Sequence, residues 1–202
     1  MWIKLGILLT GFTYAGLLPY FIKKTLKIVD FDLKLETLSF LSNKKLYGAD
    51  FEKGYKRLLF VTAILNYIFF WLLSVFYDLG EHENLMRYID YSFAFLTLLA
   101  FVPHNMGKYS FEHLGKSLKR IIHNFLAVLV FLILPLLIIN FQVAIYNNHL
   151  IQGITGLIII SITVILTAWS ILSNGLNGVS EMIFINGISI WSILTTIITL
   201  IR

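Results

Sequence analysis

Cysteine does not occur in the 202-residue chain. Its absence excludes disulfides, thiolate metal sites and thiol nucleophiles, and it leaves the compartment open. Charge is sparse as well: 13% of residues are Asp, Glu, Lys or Arg, against 58% hydrophobic. A soluble domain of this size cannot hide so much apolar surface, because surface area does not fall fast enough with chain length. Lipid is therefore the expected solvent for most side chains. The apolar stretch after Lys4 continues to Ile22 and ends in Lys23-Lys24 without a small-x-small cleavage site. It reads as a retained first span rather than a signal peptide.

What the chain does have is a series of apolar runs: Ile3–Ile22, Arg57–Tyr77, Tyr88–Val102, Ile121–Tyr146, Leu150–Leu172 and Met182–Ile201. Crossing a bilayer takes about 20 apolar residues as a helix. Five runs reach that length; the third is short and carries Asp90 near its start. The runs are continuously apolar and do not alternate, so helices are expected rather than a barrel. The sequence predicts an all-α polytopic bundle of six spans forming a single membrane domain over residues 1–202.

Positive charge is unevenly placed. Of the 16 Lys and Arg residues, only Lys4, Arg87 and Arg202 lie outside the segments 23–57 and 103–120. In a six-span chain those two segments share one face. The positive-inside rule puts them in the cytoplasm and both termini outside, in a cytoplasmic-type cell membrane. The net charge of +5 sits beside apolar spans, which favours anionic lipid head groups over nucleic acid as the partner. Lys44, Lys45, Lys116, Lys119 and Arg120 are the candidate head-group contacts.

The first loop has a pattern of its own. Ile28, Phe31, Leu35, Leu38 and Leu41 recur at helical spacing with charges between them, as in an amphipathic interfacial helix. Residues 31–36 also alternate with period two, so a short strand is a second reading. Ser110 is placed to cap a helix running through the second basic loop into span four. Gly175 and Gly178 mark the turn before span six.

Several short motifs have a familiar order. Thr37-Leu38-Ser39-Phe40-Leu41-Ser42 follows span one, and Gly54 leads into span two. Pro103 precedes a polar loop and then His123-Asn124-Phe125-Leu126-Ala127, while Gly178-Val179-Ser180-Glu181 precedes Trp191. This order resembles the bacterial six-helix membrane family of unknown function grouped with the Frag/DRAM/Sfk-type proteins. The resemblance implies lipid handling or membrane regulation and no shared catalytic residue. Proteins of that group are usually drawn with the Ser-rich first loop outside, opposite to the side the lysine count gives.

Polar residues inside the runs are candidate site residues, each with a plainer alternative. Asn66 in span two either lines a polar cavity or bonds another helix. His123 and Asn124 at the start of span four, with Glu181 at the start of span six, fall on one face. Such a pair can relay a proton or hold a head group, or it can simply sit at the interface. Asn140, one turn beyond Pro135, is a candidate cavity lining; Pro19 and Pro135 are expected to kink their helices. Gly11-x-x-x-Ala15 and Thr163-x-x-x-Thr167 permit close helix approach within the bundle or between protomers, so a homo-oligomer or larger membrane complex is an open expectation. Asp78, Glu81, His82, Glu83, Asp90 and His149 on the other face have the residue types of a cation site, but acids in a turn more simply solvate it.

Three functions fit these residues. The leading expectation is a non-enzymatic membrane protein that interacts with lipid or supports a membrane complex, without cofactor or metal. A second is a metal-assisted lipid hydrolase or transferase, for which Ser74, Asp78, His82, His104 and His123 supply residue types; a His-x-x-x-His pair on one helix is missing. A third is a small transporter with a path past Asn66, Asn124 and Asn140.

Overall fold

The computed structural model describes residues 1–102 and 114–202, with backbone alone at 45, 46 and 114–117. The helices are α1 (Trp2–Leu26), α2 (Lys44–Tyr47, a single turn), α3 (Ala49–Phe76), α4 (Glu83–Phe101), α5 (Leu114–Tyr146), α6 (Leu150–Asn174) and α7 (Gly178–Ile201). No strand occurs among the described residues. Helices follow from the composition. In a medium that offers no hydrogen bonds, a continuous apolar run satisfies its backbone only by bonding to itself.

Five of the helices are long and apolar enough to cross a membrane. That is the pattern of a multi-pass membrane protein. Their outer faces carry Phe125, Leu132, Ile158, Ile165 and Trp169, all more than half exposed. The remaining long helix, α4, is amphipathic. Glu83 pairs with Arg87 one turn on, before the apolar part begins. At about 1.5 Å per residue its 19 residues span about 28 Å, close to the roughly 30 Å of a hydrocarbon core.

Most helices outrun their apolar stretches. The second span is expected from Arg57, yet α3 starts at Ala49; the third is expected from Tyr88, yet α4 starts at Glu83. Hydropathy sees only the part that lipid would solvate. The added turns are polar and carry i,i+4 pairs such as Glu52–Lys56, at 2.6 Å. Pro19 and Pro135 lie inside α1 and α5.

The long helices form a closed ring. Each packs on its chain neighbour, and α1 completes the circle by packing on both α3 and α7. Small residues set the closest approaches. A Cβ on Gly11 would stand 2.1 Å from the Thr196 hydroxyl, and one on Gly187 2.2 Å from Thr163. Ser192 Oγ donates to the Gly11 carbonyl at 3.1 Å, joining α7 to α1. Aromatic rings fill the centre: Trp191 stacks on Phe70 with centroids 5.3 Å apart and meets Phe141 edge-on at 6.0 Å.

The first loop departs from the sequence reading. Its periodic apolar residues do not form one amphipathic helix, nor a strand. They are split between turns and irregular chain over residues 28–36 and a 3-10 turn at Leu38–Ser42. Leu38 and Leu41 are buried with Ile22 beneath the bundle, whereas Ile28 and Leu35 are exposed. The reason is tertiary. The loop's carbonyls are used by another helix: Glu36 O accepts from Gly178 N–H at 2.7 Å, and Leu33 O from Val179 N–H at 3.1 Å. Lys34 O accepts from the Asn177 side-chain amide at 3.0 Å. The first turn of any helix has N–H groups without intrahelical partners. Here a strap of chain more than 140 residues upstream satisfies two of them. The Ser110 cap falls outside the described residues.

Candidate functional site

The strap covers a cavity of about 110 Å³ walled by α1, α3, α4, α5 and α7. Most of the wall is aliphatic or aromatic, including Leu18, Leu59, Leu96, Val130 and Phe184. The titratable groups on it are Tyr14, Tyr55, His123 and Glu181. Leu38 and Ser39 of the 3-10 turn line it from the loop side.

Each polar group is held by a specific local cause. Glu181 follows the Asn177 cap and its reciprocal bonds with Ser180, which fix the first turn of α7. One carboxylate oxygen accepts from the Leu38 backbone N–H. His123 is buried on the inward face of α5, with Nδ1 at 2.6 Å from the Val102 carbonyl at the end of α4. Nδ1 must be the donor there, so in the neutral ring Nε2 carries the lone pair. The Thr62 and Ser189 hydroxyls donate within their own helices, to Leu58 O at 2.8 Å and Ile185 O at 2.9 Å. Their protons are thereby committed, and only lone pairs remain for the cavity.

The structure therefore brings His123 and Glu181 to one cavity, as their common face implied. It does not bring Asn124 with them. That residue is exposed on the outward side of α5. Helical periodicity turns successive residues about 100° apart, so neighbours in sequence face different media. Asn66 is fully buried and lies elsewhere in the ring; its Nδ2 donates to Ser92 Oγ at 2.8 Å. Asn140 donates to the Leu136 carbonyl and lines a separate depression with Glu81, His82, Glu83 and Asn147 at the opposite end. None of Asn66, Asn124 and Asn140 lines the cavity.

The hydrolase constellation is taken apart in the same way. Ser74 and Asp78 close α3 at the end away from the cavity, and His82 lies in the far depression. Tyr55, on the cavity wall, and Ser74 are separated along α3 by about 28 Å. Zinc ligands must converge within about 2.3 Å of the ion. No group of three or more His, Cys, Asp or Glu among the described residues could hold a metal. His104 lies outside the described residues.

Basic residues surround the cavity end. Lys23 and Lys24 follow the lining residue Ile22, Arg57 follows Tyr55, and Lys119 and Arg120 precede His123 by about a turn. Lys44 and Lys119 are exposed, and Arg120 is half-buried. The side chains of Lys45 and Lys116 lie outside the described residues.

Sequence reasoning missed a second interior feature. Toward the far end, Tyr77 OH lies 2.8 Å from both Gln152 Oε1 and Thr199 Oγ1. Gln142 is fully buried; turned to satisfy its neighbours, its amide accepts from Trp191 Nε1 at 2.7 Å and donates to the Gln152 carbonyl at 3.1 Å. Gly156 makes the room, since a Cβ there would lie 2.2 Å from the Gln142 amide. Two glutamines within apolar runs were the available signal, on the same grounds as Asn66.

No protein-family model, curated protein or solved structure matches this chain.

Proposed function

We propose that this protein is a non-enzymatic, six-span membrane protein that binds a lipid, with the lipid's chain in the cavity and its head beneath the first-loop strap. The observation that carries this reading is a largely apolar cavity with three of its four titratable groups, Glu181, His123 and Tyr55, toward the end under the strap. A space of that kind matches an amphipath and suits neither a wholly polar solute nor a metal. The basic residues around it favour an anionic membrane surface at that end, in keeping with a cytoplasmic face for the two basic loops and with both termini outside. The motif-level resemblance to Frag/DRAM/Sfk-type proteins supports lipid handling, but it places the first loop on the opposite side.

Filling the cavity tests the reading. Val130 and Ala127 line it on α5. Val130→Phe and Ala127→Phe should each lower the lipid retained by the purified protein, counted by native mass spectrometry, while the helical circular dichroism stays unchanged. Folded variants that keep their full complement of lipid would overturn it.

A further inference from the structure

The cavity's polar groups are unbalanced in a way that specifies a head group. Its wall holds one carboxylate, one imidazole and the phenols of Tyr14 and Tyr55, and no Lys or Arg among the described residues. One oxygen of Glu181 takes the Leu38 N–H; the other accepts no hydrogen bond among the described residues. Among those residues the salt bridges are Glu52–Lys56 and Glu83–Arg87, and neither involves Glu181. Thr62 and Ser189 add lone pairs and no protons. Against these stands the Tyr55 O–H, so among the described residues the cavity end still offers acceptors in excess of donors. A carboxyl group among Leu38, Phe184 and Ile185 is costly unless a donor reaches it.

We propose that the lipid held in this cavity is a single-chain amine without a phosphate, its primary ammonium donating to Glu181. This deepens the lipid-binding reading and rests on it. An ammonium brings three N–H donors and no acceptor, the complement of the acceptors present. A carboxyl and an amine share a proton favourably whichever of them formally carries it, and a charge-assisted bond is about twice as strong as a neutral one. A phosphate or carboxylate head would instead set like charge beside Glu181. The exposed lysines outside the cavity serve the bilayer surface and do not enter this balance.

The test uses the full chain in phosphatidylcholine nanodiscs, whose head groups carry no N–H donor. Dodecylamine, dodecanol, dodecanoate, dodecyltrimethylammonium and lysophosphatidylethanolamine are titrated in turn. Dodecylamine should bind roughly ten- to a hundredfold more tightly than the other four, the range of one hydrogen bond to a charged group. Glu181→Gln should bring dodecylamine down to the level of dodecanol and leave dodecanol unchanged. The comparison with dodecyltrimethylammonium needs no variant: it has the same charge and no N–H, so equal binding of the two overturns the proposal. An amine preference that survives Glu181→Gln overturns it also, as does lysophosphatidylethanolamine binding as tightly as dodecylamine. If the chains bind without preference, the head-group assignment fails and the cavity reading stands. If no chain binds, or if Val130→Phe weakens none, both fail together.

Discussion

Glu181 accepts a hydrogen bond from the backbone N–H of Leu38, a partner 143 residues away in the chain. One contact therefore ties the first turn of α7 to the 3-10 turn of the first loop and sets the one acid among the described lining residues against the cavity's cover. The neighbouring bonds from Asn177, Gly178 and Val179 to the carbonyls of Lys34, Glu36 and Leu33 make this an extended seam.

The seam depends on a missing side chain at Gly178. A Cβ there would meet Leu33 Cδ2 at 2.6 Å and the Glu36 carbonyl at 3.0 Å. Elsewhere in a helix, Gly→Ala gains up to about 1 kcal/mol. Here the clash reverses the sign, and Gly178→Ala should cost about 1–3 kcal/mol. Hydrogen exchange at the Leu38 amide should quicken in parallel. Asn177→Ala, which removes the cap and the bond to Lys34, should cost about 1 kcal/mol. Unchanged exchange at Leu38 in both variants would show that the strap is held by other contacts.

Asn66 and Ser92 join α3 to α4 at 2.8 Å in a fully buried setting. Interhelical bonds of this kind in membranes couple by about 0.6 kcal/mol on average. A double-mutant cycle of Asn66→Ala and Ser92→Ala should return a coupling of that order in thermal or denaturant unfolding. If Asn66→Ala leaves stability intact but abolishes transport of some solute, the plain bonding role is wrong.

Topology is open to a direct probe because the chain has no cysteine of its own. Lys44 and Asn148 are both exposed, in the first loop and in the turn between α5 and α6. With single cysteines at each in turn, an impermeant thiol reagent applied to intact cells should label position 148 and not 44. The reverse pattern inverts the orientation.

The basic rim should hold anionic lipid. Each Lys or Arg near such a surface contributes about 1 kcal/mol, less as salt rises. Replacing Lys44, Lys45, Lys116 and Lys119 with Gln should reduce co-purified acidic lipid and flatten its salt dependence. Lipid bound in the cavity should be unaffected, which separates the two contacts.

The division between what was legible and what was not follows from the range of each physical cause. Hydropathy is summed along the chain, so the apolar helices, the membrane and the gathering of lysines at one end follow from composition and order alone. The order of the spans is nearly as local; it put His123, Asn124 and Glu181 at a common face. It could not place Asn124's side chain, which shares His123's place in the sequence but is turned about 100° away from it. The first loop went furthest astray. Its spacing of Ile28, Leu35 and Leu38 is that of a helix, and a helix is what those residues would form if nothing else bid for their backbone. The unpaired N–H groups at the start of α7 do bid for it, from the far end of the chain. Ring closure by α1 against α7, the space left by Gly156 for Gln142, and the cavity under Leu38 are likewise set by contacts between distant segments. The sequence by itself determined which segments are apolar enough to cross a bilayer, because transfer to lipid acts on each stretch separately. Which polar groups then face one another was decided only by packing, because it depends on helix neighbours and rotations that no local pattern contains.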